Sequence, residues 1–254
     1  MKTFGLIGFP LTHSFSQKYF SEKFKRENIS DCEFKNFSLK NVDELTSLIK
    51  NNISLIGLSV TIPHKEGVMK FLYEVDDVAR NVGAVNCIKV IRNAESGIVN
   101  LKGYNTDVIG FEESLLPLLK THYSKALILG VGGAAKAVGY VLTKLEIDFL
   151  FVSRNIKHKA SDSGHILYNN LTPQIIDENT LIINTTPVGM FPAASDCPDI
   201  PYQFLTDRHL LYDLIYNPEE TLFLKKGKEM GAQTKNGNEM LEQQAEKSWK
   251  IWNS

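Results

Sequence analysis

Residues 126–139 read ALILGVGGAAKAVG, an apolar run that breaks into Gly130, Gly132 and Ala135. A helix-period apolar set follows: Ala134, Ala137, Val138, Val141, Leu142 and Leu145. This order predicts a buried strand, a tight turn and a helix start, which leaves backbone N–H groups open to a pyrophosphate. The first glycine permits the turn, the second permits close approach of a phosphate, and the small third residue lets helix pack on strand. A purely structural turn is the alternative. Position constrains the fold further, because about half the chain precedes this turn. A separate unit has to be built first, and it is the natural place for a substrate.

The 254 residues suffice for two modest cores. A net charge of −1, with no basic stripe and no long apolar run, points away from nucleic acid and membrane. Cys32, Cys87 and Cys197 are odd in number and widely spaced, so they read as free thiols, not a disulfide frame or a zinc site. The opening MKTFGLIGFP is too short an apolar run for a signal peptide. The expectation is a cytoplasmic protein without a metal.

Extended patterns lie at 3–8, 33–37, 54–61, 85–91 and 97–101, and helical ones at 16–27, 42–50 and 66–72. The strands at 85–91 and 97–101 flank a turn, so an antiparallel hairpin on an otherwise parallel sheet is predicted. A helix over 107–119, bent or ended by Pro117, leads to the glycine turn. Strands at 148–153, 181–185 and 210–216, a helix near 218–230 and a helix over 238–252 follow. Leu241, Ala245, Trp249 and Trp252 share one face of that last helix. The fold class is α/β in two domains: an N-terminal mixed-sheet unit and a C-terminal Rossmann-like unit.

Three segments offer chemistry where strands end. GLSVTIPHK (57–65) places Thr61 at the end of an apolar strand and Lys65 just beyond Pro63. A lysine there can exchange a proton with a carbonyl or alkoxide oxygen, or it can be a solvated helix-start residue. Asn105-Thr106-Asp107 opens a helix, where Asp107 is either an N-cap or a carboxylate that pairs with a lysine. Ser14 and Ser16 either face an anion or, in the case of Ser16, only cap the helix. The strand ending at Ser153-Arg154-Asn155 has no acidic residue to meet free ribose hydroxyls, and Arg154 offers a cation to a 2′-phosphate. That favours NADP over NAD. Asn184-Thr185-Thr186-Pro187 either lines a cofactor cleft or simply starts a loop.

In order along the chain, FPLTHSFS, GLSVTIPHKE, GAVNCI, GYNTD, GVGGAAKAV, INTTPVGM, DLIYNPEET and GNEMLEQQA resemble the motifs of the shikimate dehydrogenase family. The resemblance spans nearly the whole chain. It implies reversible NADPH-dependent reduction of 3-dehydroshikimate to shikimate, with Lys65 as proton donor and acceptor and Asp107 as its partner. It implies that Ser14 and Ser16 hold the substrate carboxylate, and that Thr61, Asn86, Tyr216 and Gln244 hold ring hydroxyls or line the pocket. Cofactor contacts fall to Gly130, Val131, Gly132, Gly133, Ala134, Ser153, Arg154, Asn155, Leu214 and Gly237, with Asp77 from the first domain. The implied domains are 1–103 for substrate, rejoined by 238–254, and 104–237 for NADP. A monomer or homodimer is expected.

Three positions depart from the family pattern. Gln17 stands where proline is usual, Ser59 where asparagine is common, and Ser153-Arg154-Asn155 where N-R-T is usual. The last departure keeps the arginine but bears on strict NADP choice. A quinate/shikimate dehydrogenase with relaxed cofactor use, and a non-catalytic ligand-sensing regulator on the same fold, are the alternatives.

Overall fold

The computed structural model describes residues 1–11, 15–93, 95–155 and 164–254. The chain forms two compact units, Met1–Ile109 with Glu242–Ser254, and Gly110–Leu241.

The first unit contains β1 (Lys2–Gly8), α1 (Phe15–Arg26), β2 (Cys32–Ser38), α2 (Leu45–Asn51), β3 (Leu55–Val60), β4 (Glu74–Val75), α3 (Asp77–Val82), β5 (Cys87–Arg92) and β6 (Val99–Tyr104). α4 (Asp107–Leu115) follows and crosses the division. The six strands form one mixed sheet in the order β2-β1-β3-β5-β6-β4. β1 runs parallel to both neighbours, whereas β5 is antiparallel to β3 and to β6. The predicted hairpin is therefore present, but β6 begins two residues late. Gly97 sits in the turn at φ +66, a conformation glycine adopts without steric penalty.

Register decides which residues meet. Ser59 pairs with Cys87, and Cys87 with Tyr104. Val60 N–H donates to Asn86 O at 2.7 Å and Asn86 N–H to Tyr104 O at 3.1 Å. The end of β3, the start of β5 and the end of β6 thus lie along one edge of the sheet, carrying segments 61–65, Asn86 and 105–107. One sheet face buries Ile7, Leu58, Val60, Val85 and Ile88 against α2. The other buries Phe4, Phe20, Phe24, Phe34, Ala245 and Trp252. Gly57 makes this second layer fit, since a Cβ there would lie 2.4 Å from the Trp252 ring.

The expected helix over 66–72 is only a 3₁₀ turn at Gly67–Phe71. Glycine at its first position is a poor helix former, and the segment is too short to propagate one. α3 has no counterpart in the sequence reading. It is six residues long and is defined by its ends: Asp76 accepts from Ala79 N–H, and Gly83 closes it at φ +70.

The second unit contains β7 (Lys125–Leu129), α5 (Gly133–Lys144), β8 (Asp148–Ser153), β9 (His165–Leu167), α6 (Pro173–Glu178), β10 (Leu181–Asn184), β11 (Leu210–Asp213), α7 (Leu222–Glu229) and β12 (Gln233–Lys235). α8 (Asn238–Trp252) begins here and ends in the first unit. All five strand pairings are parallel, in the order β12-β11-β10-β7-β8-β9. Numbered from β7, that is the 3-2-1-4-5-6 order of a doubly wound dinucleotide fold, with its switch point between β7 and β10. α4 stops at Leu115 and Pro117 lies in the 3₁₀ turn after it. The strand expected over 210–216 ends at Asp213, because its carboxylate accepts Ile215 N–H at 3.0 Å and turns the chain.

Candidate active site

Lys65 is fixed by the chain on both sides of it. His64, buried, lies 2.7 Å through Nε2 from Leu39 O, and Lys65 O accepts Val85 N–H at 2.8 Å. The Lys65 ammonium donates to Asp107 Oδ2 at 2.6 Å, with the two side chains 16% and 7% exposed. Asp107 is not the cap of its own helix. Asn105 Oδ1 accepts Val108 N–H at 3.3 Å, which leaves the Asp107 carboxylate free to face Lys65 and Asn86.

Asn86 is the hub of the pair. Its amide donates to Asp107 Oδ1 at 2.7 Å, and its carbonyl accepts Thr106 N–H at 2.6 Å. Thr106 Oγ1 lies 3.0 Å from Ser248 Oγ and 3.4 Å from Gln244 Oε1, so α8 joins the same network. Lys65, Asn86, Asp107 and Gln244 are thereby brought together. Thr61 follows β3, half-buried, and donates its N–H to Ile7 O at 2.9 Å. Gly8 leaves room for it, since a Cβ there would sit 2.4 Å from Thr61 Cγ2. Ser16 is buried in the first turn of α1. Ser14 lies outside the described residues. Asp77 is exposed and paired with Arg80 at 2.9 Å.

In the second unit Gly130 adopts φ +112, and an added Cβ would meet Thr185 Oγ1 at 2.7 Å. It packs there because Thr185 donates to Leu129 O at 2.6 Å, closing β10 on β7 at the switch point. Gly132 differs from it: an added Cβ would meet nothing within 4 Å. It is exposed at the N-terminus of α5, followed by Gly133 and Ala134, and no side chain caps the helix. Open N–H groups and the positive end of a helix dipole suit a phosphate. Val131 is half-buried between these glycines, and Ala135 is wholly buried against the sheet. Ser153 turns its hydroxyl inward to Asn155 O at 2.8 Å, whereas Arg154 and Asn155 are exposed. Gly237 lies against Leu214, whose carbonyl oxygen would be 2.1 Å from an added Cβ. Tyr216 is half-buried two residues beyond Leu214.

Behind these loops Asn184 and Thr186, which the sequence offers as a cleft lining or a loop start, join Asp213 and Thr221, which it does not single out. Asp213, fully buried, accepts Asn184 Nδ2 at 3.0 Å on one oxygen and Thr221 Oγ1 at 2.6 Å on the other. Burial pushes its carboxyl up to about 6, against the bonds from Thr221, Ile215 N–H and Asn184. Asn184 in turn accepts from Thr186 N–H and Oγ1, at 3.1 and 2.7 Å. An aspartate closing the apolar strand LLYD was the available signal, since such a group has to find partners inside. Among the described residues no group of three or more His, Cys, Asp and Glu is placed to hold a metal ion. No described helix is long and apolar enough to cross a membrane.

Fold and site define an α/β protein with a doubly wound dinucleotide-type unit and a mixed-sheet unit holding a lysine–aspartate pair. The model of the shikimate dehydrogenase substrate binding domain matches residues 6–88. The chain belongs to the shikimate dehydrogenase family, being 36% identical over 262 residues to the shikimate dehydrogenase (NADP⁺) of Methanosphaera stadtmanae, with 98% of this chain and 90% of that one covered. The enzyme of that name from Clostridium beijerinckii is 37% identical over 257 residues, covering 99% and 92%. Among solved structures, shikimate dehydrogenase 1 of Peptoclostridium difficile superposes with a TM-score of 0.88 at 35% identity, over 100% of this chain and 92% of that one. A shikimate dehydrogenase in complex with NADP⁺ superposes with a TM-score of 0.86 at 32% identity, over 99% and 90%.

Proposed function

We propose that this protein is an NADP-dependent shikimate dehydrogenase, reversibly reducing 3-dehydroshikimate to shikimate on the route to aromatic amino acids. The observation that carries the reading is the Lys65–Asp107 contact of 2.6 Å, with Asn86 on the other carboxylate oxygen. NADPH, when bound, supplies the hydride that reduces the ring carbonyl carbon.

Lys65 gives the proton that the carbonyl oxygen needs as it becomes a hydroxyl, and takes it back in the reverse direction. Asp107 holds the lysine tip in place, so the proton donor is positioned before reduction starts. Asn86, Thr61 and Gln244 supply hydrogen-bonding groups for ring hydroxyls, and Ser14 and Ser16 hydroxyls for the carboxylate. Tyr216 is assigned to the substrate by the family resemblance. Gly132, Gly133 and Ala134 offer backbone to the pyrophosphate, and the exposed Arg154 offers its planar guanidinium to a 2′-phosphate. Leu214 and Gly237, packed against each other, are further cofactor contacts.

Shikimate oxidation followed by NADPH absorbance tests the reading. Steady turnover with shikimate and NADP⁺, and little with quinate, is expected. Binding of shikimate without turnover would favour the sensing regulator.

A further inference from the structure

Lys23 is an unusual residue for the place it occupies. It is only 4% exposed, on the face of α1 that packs against α8. Its ammonium donates to both oxygens of Glu246 at 2.8 and 3.0 Å and to Glu27 at 2.8 Å. The Tyr19 hydroxyl donates to the same Glu246 carboxylate, and the ammonium lies 5.9 Å from the Trp249 ring centroid. Burial opposes the charge on Lys23, but the bonds to Glu246 and Glu27 outweigh it and hold the group above its ordinary range.

Apolar residues of equal volume join two helices at least as well as a buried ion pair does. What the ions add is direction. Glu246 stands two residues after Gln244 on α8, roughly 200° around the helix at 3.6 residues per turn. Glu246 therefore reaches α1 while Gln244 and Ser248, four residues apart on one face, reach Asn86 and Thr106. α8 is gripped on both sides, and α1 carries Ser16 one turn before Tyr19.

We infer that Tyr19, Lys23 and Glu246 are positioning residues, which set the register of α8 on α1 and so place Gln244 for the substrate. This rests on the proposed function, in which Gln244 contacts shikimate.

The test is the double variant Lys23→Met/Glu246→Leu, which replaces the pair by apolar groups of similar size. Two readouts are taken: the Gln244 side-chain amide cross-peak in a ¹H–¹⁵N spectrum, assigned by its loss in Gln244→Ala, and steady-state kinetics. The variant is expected to fold, to shift that cross-peak, and to raise KM for shikimate about tenfold. kcat should stay within about threefold, and KM for NADP⁺ should not change. In a Gln244→Ala background the effect on KM should vanish, as it does when one residue acts through another. Should the double variant not fold, Glu246→Gln keeps the shape and removes the charge, and about a threefold rise in KM is expected. An unmoved cross-peak, or a KM within twofold of wild type, overturns the proposal. Wild-type protein inert toward shikimate would overturn the proposed function instead, and the cross-peak would still decide whether the cluster places Gln244.

Discussion

Asn86 and Lys65 divide the Asp107 carboxylate between them, one oxygen each, at 2.7 and 2.6 Å. A carboxylate so held cannot rotate, and its charge stays aimed at the lysine. In Asn86→Ala one oxygen loses its donor and Thr106 N–H loses its acceptor. Each loss costs about 1–3 kcal/mol where it leaves a buried group unpaired. kcat/KM for shikimate should fall by roughly 10²-fold, measured against a circular-dichroism check of folding. A loss under threefold would show that Asn86 does not orient the pair.

The glycines of the second unit separate into two kinds. Gly237→Ala would place a Cβ 2.1 Å from Leu214 O, so it should destabilise the protein and disturb the β11–α8 junction. Gly132→Ala meets nothing, at an ordinary φ of −81. It should melt within about 2 °C of wild type yet raise KM for NADP⁺ about tenfold, some 1.4 kcal/mol of lost binding. Unchanged cofactor kinetics in Gly132→Ala would remove this turn from the cofactor site.

Much of this was legible in the chain, for physical reasons. The alternation of apolar runs with helix-period segments marks both sheets, and Gly130 and Gly132 announce the switch point. Lys65, Asn86 and Asp107 come together through strand register, which spacing does not encode. Their grouping was readable only through the resemblance of GLSVTIPHKE, GAVNCI and GYNTD to known motifs. α3, β9 and β12, of six, three and three residues, carry too few periodic positions to be seen, whereas the comparably short β10 and β11 are marked by unbroken apolar runs. Lys23 is not singled out by the sequence, because the partner that holds it inside, Glu246, is 223 positions away. Asp213 likewise looked like part of a longer strand, until its bonds to Ile215 N–H and Thr221 ended that strand.

Cofactor choice should follow Arg154, the exposed cation after β8. NADP⁺ should be preferred over NAD⁺ by about tenfold or more, from charge-assisted bonds to the 2′-phosphate. Arg154→Ala should erase most of the preference and leave NAD⁺ kinetics nearly unchanged. Higher salt should shrink the preference in the wild type, because the side chain is exposed. Equal efficiency with both cofactors in the wild type, or an Arg154→Ala variant that still strongly prefers NADP⁺, would show that Arg154 does not set cofactor choice.

Asp213 gives stability a pH dependence of definite sign. Its carboxyl is pushed up to about 6 from 3.8, so between those values the folded protein holds a proton that the unfolded chain has released. Stability is lost as pH rises through that window, by about 2–3 kcal/mol at 1.36 kcal/mol per unit. Asp213→Asn cannot ionise, and its carbonyl still accepts from Asn184 and Ile215 N–H. Urea unfolding should show the variant gaining on wild type by that amount between pH 4 and pH 7. A difference independent of pH would mean that Asp213 is ionised at no unusual cost.

The most direct test of the whole account is turnover by Lys65→Ala. The lysine is the one group asked to move a proton, and general acid–base catalysis contributes about 10²–10⁴-fold. kcat for shikimate oxidation should fall by that factor while the protein folds normally. The dissociation constant for shikimate should change only a few fold, since other side chains hold its carboxylate. Wild-type-like turnover in a folded Lys65→Ala protein would contradict the assignment of Lys65 as the proton donor and acceptor.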